Sequence, residues 1–97
     1  MNQIPQDLID RIRAAVNLPE WIGRDVPLKR SGSNWVGLCP FHQERRGSFN
    51  VSESKALYKC FGCGAGGNIF TWVMERENLN FPLAVRRVAK TVGIHVP

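Results

Sequence analysis

Two short ligand pairs constrain this chain more than anything else in it. Cys39-Pro40-Phe41-His42 and Cys60-Phe61-Gly62-Cys63 each hold two metal-binding side chains two residues apart, and seventeen residues lie between His42 and Cys60. A two-residue gap lets both side chains of a pair turn toward one ion from a tight loop. The longer gap has room for a hairpin that brings the pairs together. Four ligands close a tetrahedron and leave no position for water, so the site reads as structural rather than catalytic. The spacing is that of a zinc ribbon with one cysteine replaced by histidine. Three thiolates and one imidazole also suit iron, which the donor set leaves open. A thioredoxin-like redox pair at Cys60 and Cys63 would need a βαβ context that the pattern lacks. Cys39 and His42 stand too close in sequence for the usual nucleophile and base. His95 lies far from the cluster and is not expected to be a ligand.

The rest of the chain suits one small domain. It has 97 residues, 43% of them hydrophobic, with a formal net charge of +5 and a pI near 9.6. That excess of cations favours a polyanionic partner. No apolar run approaches the roughly 20 residues of a membrane span. The opening Met1-Asn2-Gln3-Ile4-Pro5 has neither the basic flank nor the apolar stretch of a secretory signal. A cytoplasmic location is therefore expected, and in a reducing compartment clustered thiols hold metal more often than disulfides. No catalytic acid–base pair is evident.

The periodicities give an α+β fold in three consecutive parts, all within one zinc-binding domain over 1–97. Residues 1–25 read as helical, with Leu8, Ile9, Ile12 and Val16 on one stripe. Residues 26–67 read as short strands, polar turns and the two metal knuckles. Gly62, Gly64, Gly66 and Gly67 crowd the second knuckle, where the backbone must turn sharply. Residues 68–97 return to helix. Asn68 is expected to cap a first helix. Asn80 and Pro82 open a second, and Gly93 stops it.

Three stretches carry a resemblance. Gly37-Leu38-Cys39-Pro40-Phe41-His42, then Ser48-Phe49-Asn50-Val51-Ser52, then Tyr58-Lys59-Cys60-Phe61-Gly62-Cys63-Gly64 resemble the N-terminal zinc-binding domain of the DnaG-type bacterial DNA primases. The opening helix, Leu28-Lys29-Arg30 and the closing Phe81–Gly93 helix fit as well. The resemblance implies a zinc ribbon built on an antiparallel sheet, packed against helices and holding one structural Zn2+. It implies binding to single-stranded DNA template, with a part in choosing where an RNA primer starts and how long it grows. Implied partners are the RNA polymerase domain of a primase, in cis or in trans, and other replication proteins of the primosome. In that family primer synthesis belongs to the separate polymerase domain, whose acidic residues hold divalent metal ions, and nothing like it is visible here. Two departures bear on template preference. Glu44-Arg45-Arg46-Gly47-Ser48 stands where the family usually reads Glu-Lys-Thr-Pro-Ser, and Lys59 stands where a histidine often precedes the third ligand.

Single strands are gripped by cations on phosphates and aromatic faces on bases. Lys29, Arg30, Arg45, Arg46, Lys55 and Lys59 interleave with Trp35, Phe49, Tyr58 and Phe61 in the strand section. The candidate DNA-binding set is therefore these six cations with Trp35 and Tyr58, and Asn34 and Ser48 as hydrogen-bonding groups. Lys55 and Lys59 share a parity, and Tyr58 has the other, which turns it toward the metal. Phe41 and Phe61, inside the knuckles, are expected to cover the ion. Arg11, Arg13, Arg86, Arg87 and Lys90 read as solvated helical charge. The competing function is a zinc ribbon that acts only as a protein or interdomain interaction module, its basic face meeting an acidic partner.

Overall fold

The computed structural model describes residues 4–43 and 47–97. Two compact units emerge from the packing.

One unit combines residues 4–16 with Ile69–Pro97. It holds helices α1 (Gln6–Ala14), α3 (Ile69–Glu77) and α4 (Phe81–Val92), and α4 packs against both others. Its core is the apolar stripe expected of amphipathic helices: Ile12 from α1, Phe70, Trp72 and Val73 from α3, and Ala84, Val85, Val88 and Ala89 from α4 are all buried. The ends of α4 follow from local chemistry. The Asn80 side chain accepts from the Leu83 N–H at 3.0 Å, and Gly93 closes the helix at φ 77. On the surface, Arg87 Nε donates to Glu77 Oε1 at 3.1 Å.

The other unit, Asn17–Asn68, holds α2 (Leu18–Gly23) and the whole sheet. The expected N-terminal segment 1–25 is thus divided between the units, α1 falling in one and α2 in the other. Asn17 starts α2 by accepting from the Glu20 N–H at 3.0 Å, with Pro19 in the first turn.

The sheet is a meander in sequence order: β1 (Lys29–Ser31), β2 (Asn34–Gly37), β3 (Phe49–Ser52), β4 (Leu57–Cys60) and β5 (Gly66–Gly67), every neighbour antiparallel. Helix α2 packs on β3. Directly opposed residues of antiparallel strands share a face, so the register assigns every side chain. Phe49 and Val51 of β3 and Tyr58 and Cys60 of β4 make the buried face. Asn50 and Ser52 of β3 and Leu57 and Lys59 of β4 make the open one. No described helix is long and apolar enough to cross a membrane.

Candidate metal centre and the open face of the sheet

The two knuckles come from different parts of the meander. Cys39 and His42 follow β2, while Cys60 ends β4 and Cys63 stands in the turn before β5. Pairing Phe49 with Cys60 and Gly37 with Phe49 brings the ends of β2 and β4 onto the two sides of β3. The four ligand atoms gather within 4.8 Å of one another. Cys39 Sγ lies 3.8 Å from Cys63 Sγ, and Cys60 Sγ lies 3.9 Å from His42 Nδ1. A tetrahedral ion with bonds of about 2.3 Å has ligand–ligand edges of about 3.8 Å, so the donor set fits zinc as it stands. Closure by four protein ligands makes this a structural zinc centre, whose ion ties the two knuckles together and leaves no position for substrate.

Backbone amides donate to the sulfurs of Cys39 and Cys60. The Phe41 N–H donates to Cys39 Sγ at 3.4 Å, and the Gly62 N–H donates to Cys60 Sγ at 3.4 Å. The second knuckle closes through Gly64 N–H to Cys60 O at 2.9 Å and Cys60 N–H to Ala65 O at 2.7 Å. Gly64 takes φ 82 to do so, a conformation that side chains disfavour. Burial pushes the Cys39 thiol up to about 11, with the neighbouring Cys60 and Cys63 thiols adding to it and the Phe41 amide opposing. At Cys60 burial also acts upward, but the amides of Cys63 and Gly62 and the adjacent thiols outweigh it, and that thiol sits below its ordinary value.

The remaining candidate residues separate by strand parity. Lys29 opposes Val36, Val36 opposes Asn50, and Asn50 opposes Lys59, so Lys29 and Lys59 stand at opposite ends of one row on the open face. Asn34, Ser52 and Leu57 make the parallel row. A groove of about 510 Å³ runs here, lined by Asn34, Asn50, Ser52, Lys55, Leu57, Tyr58, Lys59 and Phe61 together with Gly64, Gly66 and Gly67. No carboxylate lines it among the described residues.

Arg30 and Trp35 belong to the other face. They oppose each other across β1 and β2, with the guanidinium 5.6 Å from the ring centroid. Trp35 lines a second groove of about 450 Å³ with Pro19, Glu20, Arg24, Leu28 and Glu53.

Three expectations need correction. Tyr58 is 3% exposed and packs against Phe49 and Phe41, ring centroids 5.6 and 6.4 Å away, so neither face of its ring is open to a base. Lys55 is not a strand residue. The chain turns at residues 53–56, with Ala56 at φ 53 and the Lys55 N–H donating to Ser52 Oγ at 3.2 Å, and β4 begins only at Leu57. Phe61 does not cover the metal; it is 74% exposed. Ser48 is half-buried, and its carbonyl accepts from the Phe61 N–H at 3.0 Å and from Asn50 Nδ2 at 3.2 Å. Arg45 and Arg46 lie outside the described residues. Sequence reasoning missed Asn50, Leu57 and Phe61 as groove residues. The available signal was parity, since Leu57, Lys59 and Phe61 alternate along one strand and its continuation.

Residues 4–97 match the CHC2 zinc finger family. A DNA primase of Halalkalibacterium halodurans is 50% identical over 98 residues, which is 100% of this chain and 16% of that protein. A DNA primase of Enterococcus faecalis is 49% identical over 87 residues, 90% of this chain and 14% of that protein. The chain thus spans only a small part of the length of these curated relatives. Among solved structures, the zinc-binding and RNA polymerase domains of the Aquifex aeolicus primase superpose with a TM-score of 0.87 at 36% identity, covering 93% of this chain and 22% of that one.

Proposed function

We propose, for a chain that belongs to the CHC2 zinc finger family of DnaG-type DNA primase zinc-binding domains, that the open face of its sheet binds single-stranded DNA template. One observation carries this reading: Lys29 and Lys59 stand at the two ends of one row on the open face, with Val36 and Asn50 between them, and Asn34, Asn50, Ser52 and Lys59 line a groove without a lining carboxylate among the described residues. Cations at the margins suit phosphates, and amides and hydroxyls between them suit base edges. The zinc centre holds the strand ends that present this face.

Template held in this way lies beside a polymerase domain, in cis along a longer chain or in trans. Such proximity raises the effective concentration of template at the polymerising site and biases where an RNA primer begins and how long it grows. The catalytic step belongs to that partner, because the zinc is closed by four protein ligands. Anisotropy titration of a labelled single-stranded oligonucleotide tests the binding, and primer synthesis by a primase core lacking its own zinc domain, with and without this chain, tests the consequence. Binding that weakens steeply with salt and a shifted start site are expected. No binding at low salt would sink the template reading.

The groove beside α2 favours a second reading. Trp35, Leu28 and Pro19 give it an apolar lining beside the charged Glu20, Arg24 and Glu53, with Trp35 on the face opposite Lys59. That chemistry suits a protein contact with the polymerase domain or another replication protein. An unaltered start site together with measurable binding to the core would favour it.

A further inference from the structure

Phe61 is the most exposed large apolar side chain among the described residues. It stands between the third and fourth metal ligands, and its N–H is tied to Ser48 O at 3.0 Å. Its backbone is thereby held from both sides while its ring remains in solvent. Hiding an aromatic side chain from water contributes about 1.5–3 kcal/mol, so a fixed, uncovered ring is a surface prepared for a partner. Leu57, 41% exposed, lies along the same groove, and Lys59 stands between the two in sequence with the same parity. The wall across from them is Asn34, Asn50 and Ser52. The groove volume of about 510 Å³ falls within the range of about 300–1,000 Å³ typical of small-ligand sites.

These neighbours select the chemistry of the occupant. A flat apolar ring, a cation and a row of amide and hydroxyl groups match a planar base with a polar edge and an attached phosphate. Resting on the reading of the open face as a single-strand surface, we infer that Phe61 is the stacking platform for one unpaired base of the template. Lys59 takes the adjoining phosphate, and the Asn34, Asn50 and Ser52 wall meets the base edge. Phe61 thus makes the face a base-reading surface and not merely a phosphate-binding one.

The test compares two strands of equal length and charge, about 12 nucleotides each: one of thymidine nucleotides, the other of abasic sugar-phosphates. Each is titrated against the zinc-loaded wild-type chain, Phe61→Ala and Phe61→Trp. Wild type should prefer the base-bearing strand by about 5- to 150-fold, the range of one aromatic stack. Phe61→Ala should bring that preference close to unity while keeping zinc content, abasic-strand affinity and salt slope. Phe61→Trp should restore it. If Phe61→Ala keeps the wild-type preference, the platform is wrong and the phosphate-binding reading stands. If the wild-type chain binds neither strand, both readings fall.

Discussion

Phe49 lies directly across the β3–β4 ladder from Cys60, so a core ring and a metal ligand are neighbours on one face of the sheet, both fully buried. The zinc centre is therefore continuous with the core of the Asn17–Asn68 unit. Metal removal exposes more than the knuckles. Small zinc-finger peptides draw about 10–16 kcal/mol of apparent free energy from the ion, comparable to the whole stability of about 5–15 kcal/mol typical of a domain. We expect one zinc per chain by elemental analysis. Chelation or Cys63→Ser should abolish amide-exchange protection in β3 and β4, while α1, α3 and α4 keep much of their helical signal. Unchanged protection in β3 and β4 after zinc loss would contradict this.

Zinc affinity should rise with pH. In the metal-free chain Cys39 keeps its proton until about pH 11, and it must lose that proton to bind. Each proton displaced makes apparent affinity climb about ten-fold per pH unit while the thiol remains protonated in the free chain. Acidification therefore favours release. Cys60, already below its ordinary value, contributes over a lower range. Competition with a chromophoric chelator across the neutral range reads the slope, and an affinity independent of pH would be incompatible with a protonated Cys39.

Gly37 and Gly23 should respond oppositely to alanine. A Cβ at Gly37 would lie 2.6 Å from the Pro27 carbonyl oxygen and 3.0 Å from Leu28 Cδ2. The Pro27 carbonyl cannot yield without shifting the backbone that leads into β1, so Gly37→Ala should cost about 1–3 kcal/mol. At Gly23, the last residue of α2, a Cβ meets nothing within 4 Å. Gly23→Ala should stabilise by about 0.4–1 kcal/mol, by restricting the unfolded chain. Thermal melting of the zinc-saturated proteins checks both signs.

Adjacent cations should differ in DNA binding. Lys29 lies on the open face, whereas Arg30 lies over Trp35 on the other. Lys29→Ala and Lys59→Ala should each weaken single-strand binding and lower the salt slope by about 0.7. Arg30→Ala should leave the slope nearly unchanged. Arg87→Ala serves as a control, because Arg87 is engaged with Glu77 and Thr91 on the helices. Equal losses from all four substitutions in an anisotropy titration would show that the open face is not the binding surface.

Local chemistry was legible in the chain. The two ligand pairs specify a four-coordinate centre because a two-residue gap and a tetrahedron are both short-range constraints. Asn80 and Gly93 mark the ends of α4 because capping and a left-handed closure act within a few residues. The stripe of Ala84, Val85, Val88 and Ala89 is buried, as its helical period implies. Which side each strand residue takes was decided elsewhere. Ala56, at φ 53 in the turn, delays β4 to Leu57, so Lys55 leaves the strand, while the β3–β4 register seats Tyr58, whose parity already set it opposite Lys59, in the core beside Phe49. Phe61 projects into solvent because the closed knuckle and its bond to Ser48 aim it there. A strand alternates faces at every residue, so one step of register moves a side chain from core to solvent. That step is set by pairing between segments far apart in the chain, and only the assembled sheet contains it.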